Sequence, residues 1–176
     1  MNLKFGIKPS DDDWTAEKEL SYKAAKAAFQ KFFNGEKLSR ELEKIIASDA
    51  TWSCQYAAAL KDRFILGEPI IASKARTAGW YARHIIRGPW PEGESGISQS
   101  AYFVCAYICD VLNGSRVSDL IHRNMLALLI ENPSDYWVLE YMHYREWLDG
   151  HVAEPSWVRQ GNWNYGGVTQ EYLNSN

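Results

Sequence analysis

Ile46-Ala47-Ser48-Asp49-Ala50, Ile71-Ala72-Ser73-Lys74-Ala75 and Ile97-Ser98-Gln99-Ser100-Ala101 align on their leading isoleucines, and a tyrosine stands ten residues past each isoleucine: Tyr56, Tyr81 and Tyr107. The starts lie 25 and 26 residues apart. A period of this length marks stacked supersecondary units, each burying its apolar side against its neighbours. Small or apolar residues recur four, eight, eleven and fourteen places past each isoleucine: Ala50, Cys54, Ala57 and Leu60, then Ala75, Gly79, Ala82 and Ile85, then Ala101, Cys105, Ile108 and Val111. Steps of four, four, three and three keep such a set on one side of a 3.6-residue helix. Each unit therefore reads as a short helix followed by a longer one. The predicted fold is all-α: stacked helical-hairpin repeats, α-solenoid-like, with a period of about 25 residues.

Punctuation fits this division. Ser39 suits the N-cap of a helix from Arg40 to Ala47; Ser48, Ser73 and either Ser98 or Ser100 suit those of the longer helices. Gly67, Gly88 and Gly114 follow helix ends, where a left-handed cap favours glycine. Pro69 fits the first turn of a short helix, and Pro89-Trp90-Pro91-Glu92-Gly93-Glu94 reads as a rigid connector into the next. The flanks supply different outer faces for a stack: helices over Thr15–Asn34, Asp119–Glu131 and Asp135–Asp149, with Asp11-Asp12-Asp13 before the first and Gly150 after the last. The expectation is one domain with an N-terminal cap over about 1–42, repeats over about 43–117, a C-terminal helical cap over about 118–150, and an aromatic-rich tail over 151–176 closing the open end.

Composition narrows the function. The 176 residues carry a net charge of −3, with eight Trp and ten Tyr, so a protein built mainly to neutralise phosphates is not indicated. No apolar run reaches membrane-spanning length and the first residues lack a signal-peptide pattern, which gives a cytoplasmic expectation with no membrane partner. Three cysteines by count form no disulfide framework. Cys105 and Cys109 share a helix face, but Cys54 and Cys105 occupy the slot that Gly79 fills in the middle unit, so size and not thiolate chemistry selects them. No metal or cofactor is expected.

The middle unit carries the candidate site. Arg76, Trp80, Arg83 and Arg87 stand at intervals of four, three and four, opposite the recurring apolar slots, and Trp90 follows in the connector. The equivalent positions elsewhere, Thr51, Gln55, Ala58 and Asp62, then Tyr102, Ala106, Cys109 and Asn113, do not repeat this chemistry. Arginine forks bind carboxylates or phosphates, and Trp with Arg is the pairing most enriched in interface hot spots. Two readings stand together: a partner-binding surface, or arginines paired with glutamates of adjacent units around a groove-filling Trp80. A second charged feature is Glu131–Glu154, with six acids against the one base Arg145.

Trp80-Tyr81-Ala82-Arg83-His84-Ile85-Ile86-Arg87-Gly88-Pro89-Trp90-Pro91-Glu92-Gly93-Glu94 resembles the repeat of short helical-repeat proteins found mainly in bacteriophage genomes. In those, Tyr-Ala, a Gly before an aromatic-Pro-Glu connector, and a Glu before an isoleucine recur. The likeness covers roughly Glu43 to Asn113; Phe64-Ile65-Leu66-Gly67-Glu68 departs from the connector and Ser115-Arg116-Val117-Ser118 loses it. No functional residues carry over. The resemblance implies a small viral accessory protein acting in the host cytoplasm, and hence a non-enzymatic module that binds or inhibits a host protein, such as a defence or transcription component. Arg76, Trp80, Arg83, Arg87 and Trp90 would be its anchors. Single-stranded nucleic-acid binding through the same stripe is the second reading, and an enzyme using His143 with nearby carboxylates the third. No phosphate-cradling loop, nucleophile elbow or zinc-protease motif accompanies them. The sequence leaves the oligomeric state open.

Overall fold

A computed structural model describes residues 16–159. Asp11-Asp12-Asp13 and the tail past residue 159, with Trp163 and Tyr165, lie outside them. The described residues are helical, with no strand: α1 Ala16–Phe33, α2 Arg40–Ile46, α3 Ala50–Leu60, α4 Glu68–Ala72, α5 Ala75–Tyr81 running into a π-helical turn Ala82–Ile86, α6 Pro91–Ile97, α7 Ala101–Asp110, α8 Asp119–Glu131, α9 Tyr136–Leu148 and a 3₁₀ turn Ser156–Arg159. None of the described helices is long and apolar enough to cross a membrane. The chain divides after Ile71 into two compact units.

The helix pairs begin and end where the aligned isoleucines place them. Ile46, Ile71 and Ile97 close the short helices within one residue and are fully buried, and the longer helices all start four residues later, at Ala50, Ala75 and Ala101. Their N-caps fall one place beyond the expected serines, at Asp49 and Lys74; of the two candidates in the third pair, Ser100 is the cap. Ser48 instead donates its hydroxyl to Ile45 O at 2.7 Å, finishing the preceding helix. Left-handed residues follow the longer helices: Lys61 and Arg87 (φ 55° and 58°) cap α3 and the π turn, and Asn113 (φ 51°) stands three residues past α7, with Gly114 following at 75°. Gly67 and Gly88 are not left-handed.

Gly67 serves packing. A β-carbon there would lie 2.5 Å from the Phe64 ring, as one on Gly93 would lie 2.2 Å from the Trp90 ring. In both places an aromatic folds onto the glycine three residues on, so Phe64-Ile65-Leu66-Gly67 keeps the connector's packing although it lacks its prolines. The Pro89–Glu94 connector is shorter than its composition suggests, because Pro91 is already the first residue of α6.

In the first unit α1 packs on α2 and α3, burying Ala25, Ala28 and Phe29 with Trp52 and Tyr56. The Phe29 and Trp52 rings lie 5.4 Å apart and Phe32 meets Tyr56 edge-on at 4.9 Å. In the second unit α5 packs on α6 and α7, α6 on α8, and α7 on α8, α9 and the 3₁₀ turn. Two rows result, α5–α7–α9 and α6–α8, around a core of Tyr81, Val104, Cys105, Tyr107, Ile108, Ile121, Met125 and Tyr141. Fully burying side chains of this size contributes about 1.5–3 kcal/mol each.

Two of the three aligned tyrosines bond back to a preceding glutamate. Tyr56 donates to Glu43 Oε1 at 3.0 Å, and Tyr107 donates to Glu94 Oε1 at 3.4 Å while accepting from the Trp90 amide at 2.9 Å. Each carboxylate stands thirteen residues before its tyrosine. Burial, with the glutamate charge beside each, pushes both phenols up to about 12.

Candidate functional site

The helix that carries the arginine stripe does not run straight. Lys74 starts α5 without a side-chain cap bond, and Thr77 returns its hydroxyl to Lys74 O at 3.2 Å. From Ala82 the turn widens to π geometry, and Arg87 leaves it in the left-handed conformation, its amide bonded to Ala82 O. A regular α-helix would hold Arg83 and Arg87 on one side; the wider turn removes that alignment.

The stripe consequently splits into four environments. Arg76 and Arg87 are exposed and take part in no ion pair among the described residues. Arg87 Nε turns toward His84 O at a marginal 3.5 Å. Arg83 is half-buried and donates from Nη1 to Asp110 Oδ2 at 2.6 Å, with the Asp110 side chain only 2% exposed. Trp80 and Trp90 are each 2% exposed. Trp80 lies against the His84 ring at 4.9 Å, and Trp90 packs on Tyr81 at 5.0 Å and over Gly93. The pairing reading thus applies to Arg83 alone, and its acid is an aspartate on α7, not a glutamate. Two arginines stay open to solvent while both tryptophans are core residues, so neither ring presents a face for a nucleic-acid base.

His84 feels the same surroundings. Burial first, then the Arg83 and Arg87 charges, lowers its imidazole to about 4, so it stays neutral in the folded protein. A folded value below the ordinary 6.5 means that the unfolded chain binds the extra proton between those limits. His84 therefore contributes stability that is complete above pH 6.5 and is lost as pH falls toward 4. Unfolding midpoints of wild type and His84→Gln, measured across that window, should diverge, with the wild type losing more stability on acidification. Parallel curves would refute the assignment.

Cys54, Cys105 and Cys109 are buried and form no disulfide; burial raises Cys54 and Cys105 well above their ordinary range, and Cys105 turns its sulfur toward Trp137 O at 3.6 Å. No group of three or more His, Cys, Asp or Glu among the described residues could hold a metal ion. His143 is exposed on α9. His122, on α8, shares a 2.8 Å hydrogen bond with the Tyr141 hydroxyl.

Sequence reasoning missed two features of this region. Asp110 is one, since an acid at a helix end gives no sign that it will be enclosed. The π turn is the other, since nothing in the residue pattern sets Ala82–Ile86 apart from a regular helix. The fold and site together define an all-helical protein with a partly open basic helix surface and an aromatic core. Comparison with protein-family models, curated proteins and solved structures returns no match.

Proposed function

We propose that this chain is a non-enzymatic protein-binding module built on a repeated helix pair, with Arg76 and Arg87 as its principal contacts. The exposure of these two arginines without an acidic partner among the described residues carries the reading: guanidinium groups placed so, Arg76 on α5 and Arg87 at the end of the π turn, are ready to form charge-assisted bonds to carboxylates. Arg83 takes a positioning role, since its bond to Asp110 ties the π turn that follows α5 to α7. Support for a repeated pair comes from recurrence: Lys61, Arg87 and Asn113 are left-handed at intervals of 26, and the Tyr–Glu bond and aromatic-on-glycine packing each occur twice.

The resemblance to bacteriophage repeat proteins gives the partner class, a host protein that a viral accessory factor would bind or inhibit in the host cytoplasm. The test is capture from bacterial lysate on immobilised wild type and on the double variant Arg76→Glu, Arg87→Glu. Wild type should retain a stoichiometric protein, and the variant, with an unchanged unfolding midpoint, should lose about tenfold or more in affinity for it. Retention of no stoichiometric protein, or equal retention by both, would overturn the proposal.

A further inference from the structure

We infer that the exposed apolar surface beside the α8–α9 turn docks a basic amphipathic helix of a partner protein. The residues of α8 exceed what its burial uses. Ile121 and Met125 are buried, while Leu126 and Ile130, four apart on another face, are 36% and 83% exposed. On α9 the buried face is Val138, Tyr141 and Tyr144, leaving Tyr136 and Leu139 at 60% and 49% exposure on the outer side with Glu146. Ile130 and Tyr136 flank the one short turn that joins α8 to α9, and the two helices pack on each other.

The place of these helices in the unit indicates the shape of the occupant. Both rows, α5–α7–α9 and α6–α8, end here among the described residues, and each earlier helix in a row is covered by the next. Among the described residues these two helices meet no further α-helix, and the 3₁₀ turn reaches α9 through Trp157, which bonds to Glu140 and packs on Tyr144, leaving Tyr136 and Leu139 exposed. Charge decides which helix fits. Glu131 adjoins Ile130, Glu146 continues the α9 face, and both are exposed; Arg123 is the one base on the outer side of α8, and its Nε is turned to Asp119 O at 3.3 Å. An apolar face rimmed by acids selects a helix with leucine-like anchors at i, i+3, i+4 and i+7 and lysine or arginine beside them. It repels an anionic lipid surface.

The probe is a labelled synthetic helix of leucine and lysine with that spacing, set against its counterpart with glutamate in place of lysine. The lysine peptide should bind the full chain at least about tenfold more tightly than the glutamate peptide. Ile130→Glu and Leu139→Glu should each weaken it about tenfold, both residues being exposed enough for the variants to fold. Arg76→Glu with Arg87→Glu should bind it like wild type, which separates this surface from the α5 proposal. No binding, equal binding of the two peptides, or indifference to both substitutions overturns the inference. So does sedimentation showing a wild-type dimer that Ile130→Glu makes monomeric, because the face would then belong to a second copy.

Discussion

Gly96→Ala should lower the unfolding free energy by about 3 kcal/mol, the upper end of the usual cost of overpacking. A β-carbon at Gly96 would sit 2.0 Å from Ala72 O, 3.0 Å from Ala72 C and 3.1 Å from Lys74 N. All three are backbone atoms, which cannot swing aside as a side chain would. Alanine gains about 1 kcal/mol over glycine from helix propensity, and that gain is the smaller effect. Relief requires α6 to move away from the turn between α4 and α5, which breaks the Gln99 Nε2 bond to Ser73 O at 3.3 Å nearby. For a chain of this size the thermal midpoint should fall by roughly 6–12 °C. Gly88→Ala is the matched control: nothing lies within 4 Å of its added carbon and its backbone is not left-handed, so its midpoint should stay near wild type. Equal midpoints for the two variants would show that α6 is not held as close as described.

Tyr107→Phe should cost about 2–3 kcal/mol, and Tyr56→Phe about 1 kcal/mol. Both remove one hydroxyl, and the difference lies in what is left behind. Loss of the Tyr107 oxygen strands the Trp90 amide, which donates to it at 2.9 Å in a fully covered place, and leaves the buried Glu94 carboxylate without that donor. Loss of the Tyr56 oxygen affects a single bond to Glu43, which is half-exposed and can turn to water. Denaturant midpoints at constant slope measure both changes. Identical values would mean that Trp90 N–H finds another acceptor and that the hydroxyl does not anchor the start of α6.

The helix pairs were legible because they rest on spacing, and spacing survives changes of residue. Ile46, Ile71 and Ile97 located the short helices; α8 runs over the stretch from Asp119 to Glu131 that the pattern outlined. The capping serines misled because the turn after each isoleucine is one residue longer than a serine cap at Ser48 or Ser73 allows. Lys74 fills the cap position with no side-chain bond, which means the turn and not the capping residue sets the helix start. The arginine stripe was half legible. Its residue types stand out in the sequence, but a straight helical wheel cannot show a π turn, and only packing decides that Trp80 and Trp90 are enclosed while Arg76 is open. The aromatic-on-glycine contact at Phe64 and Gly67 was hidden by absent prolines, although Phe64 and Trp90, like Gly67 and Gly93, are 26 positions apart.

The widened turn at Ala82–Ile86 also bears on how this chain tolerates changes in length. Tyr56, Tyr81 and Tyr107 keep the same distance from their isoleucines, yet the middle segment is one residue longer before the next isoleucine arrives. That surplus falls between Tyr81 and Ile97, the stretch in which, among the described residues, the hydrogen-bond ladder loosens to π spacing. The final turn thus acts as a slack loop in the frame: an insertion or deletion there leaves every upstream packing register untouched, whereas the same event before Tyr81 would rotate the buried side of the helix by about 100°.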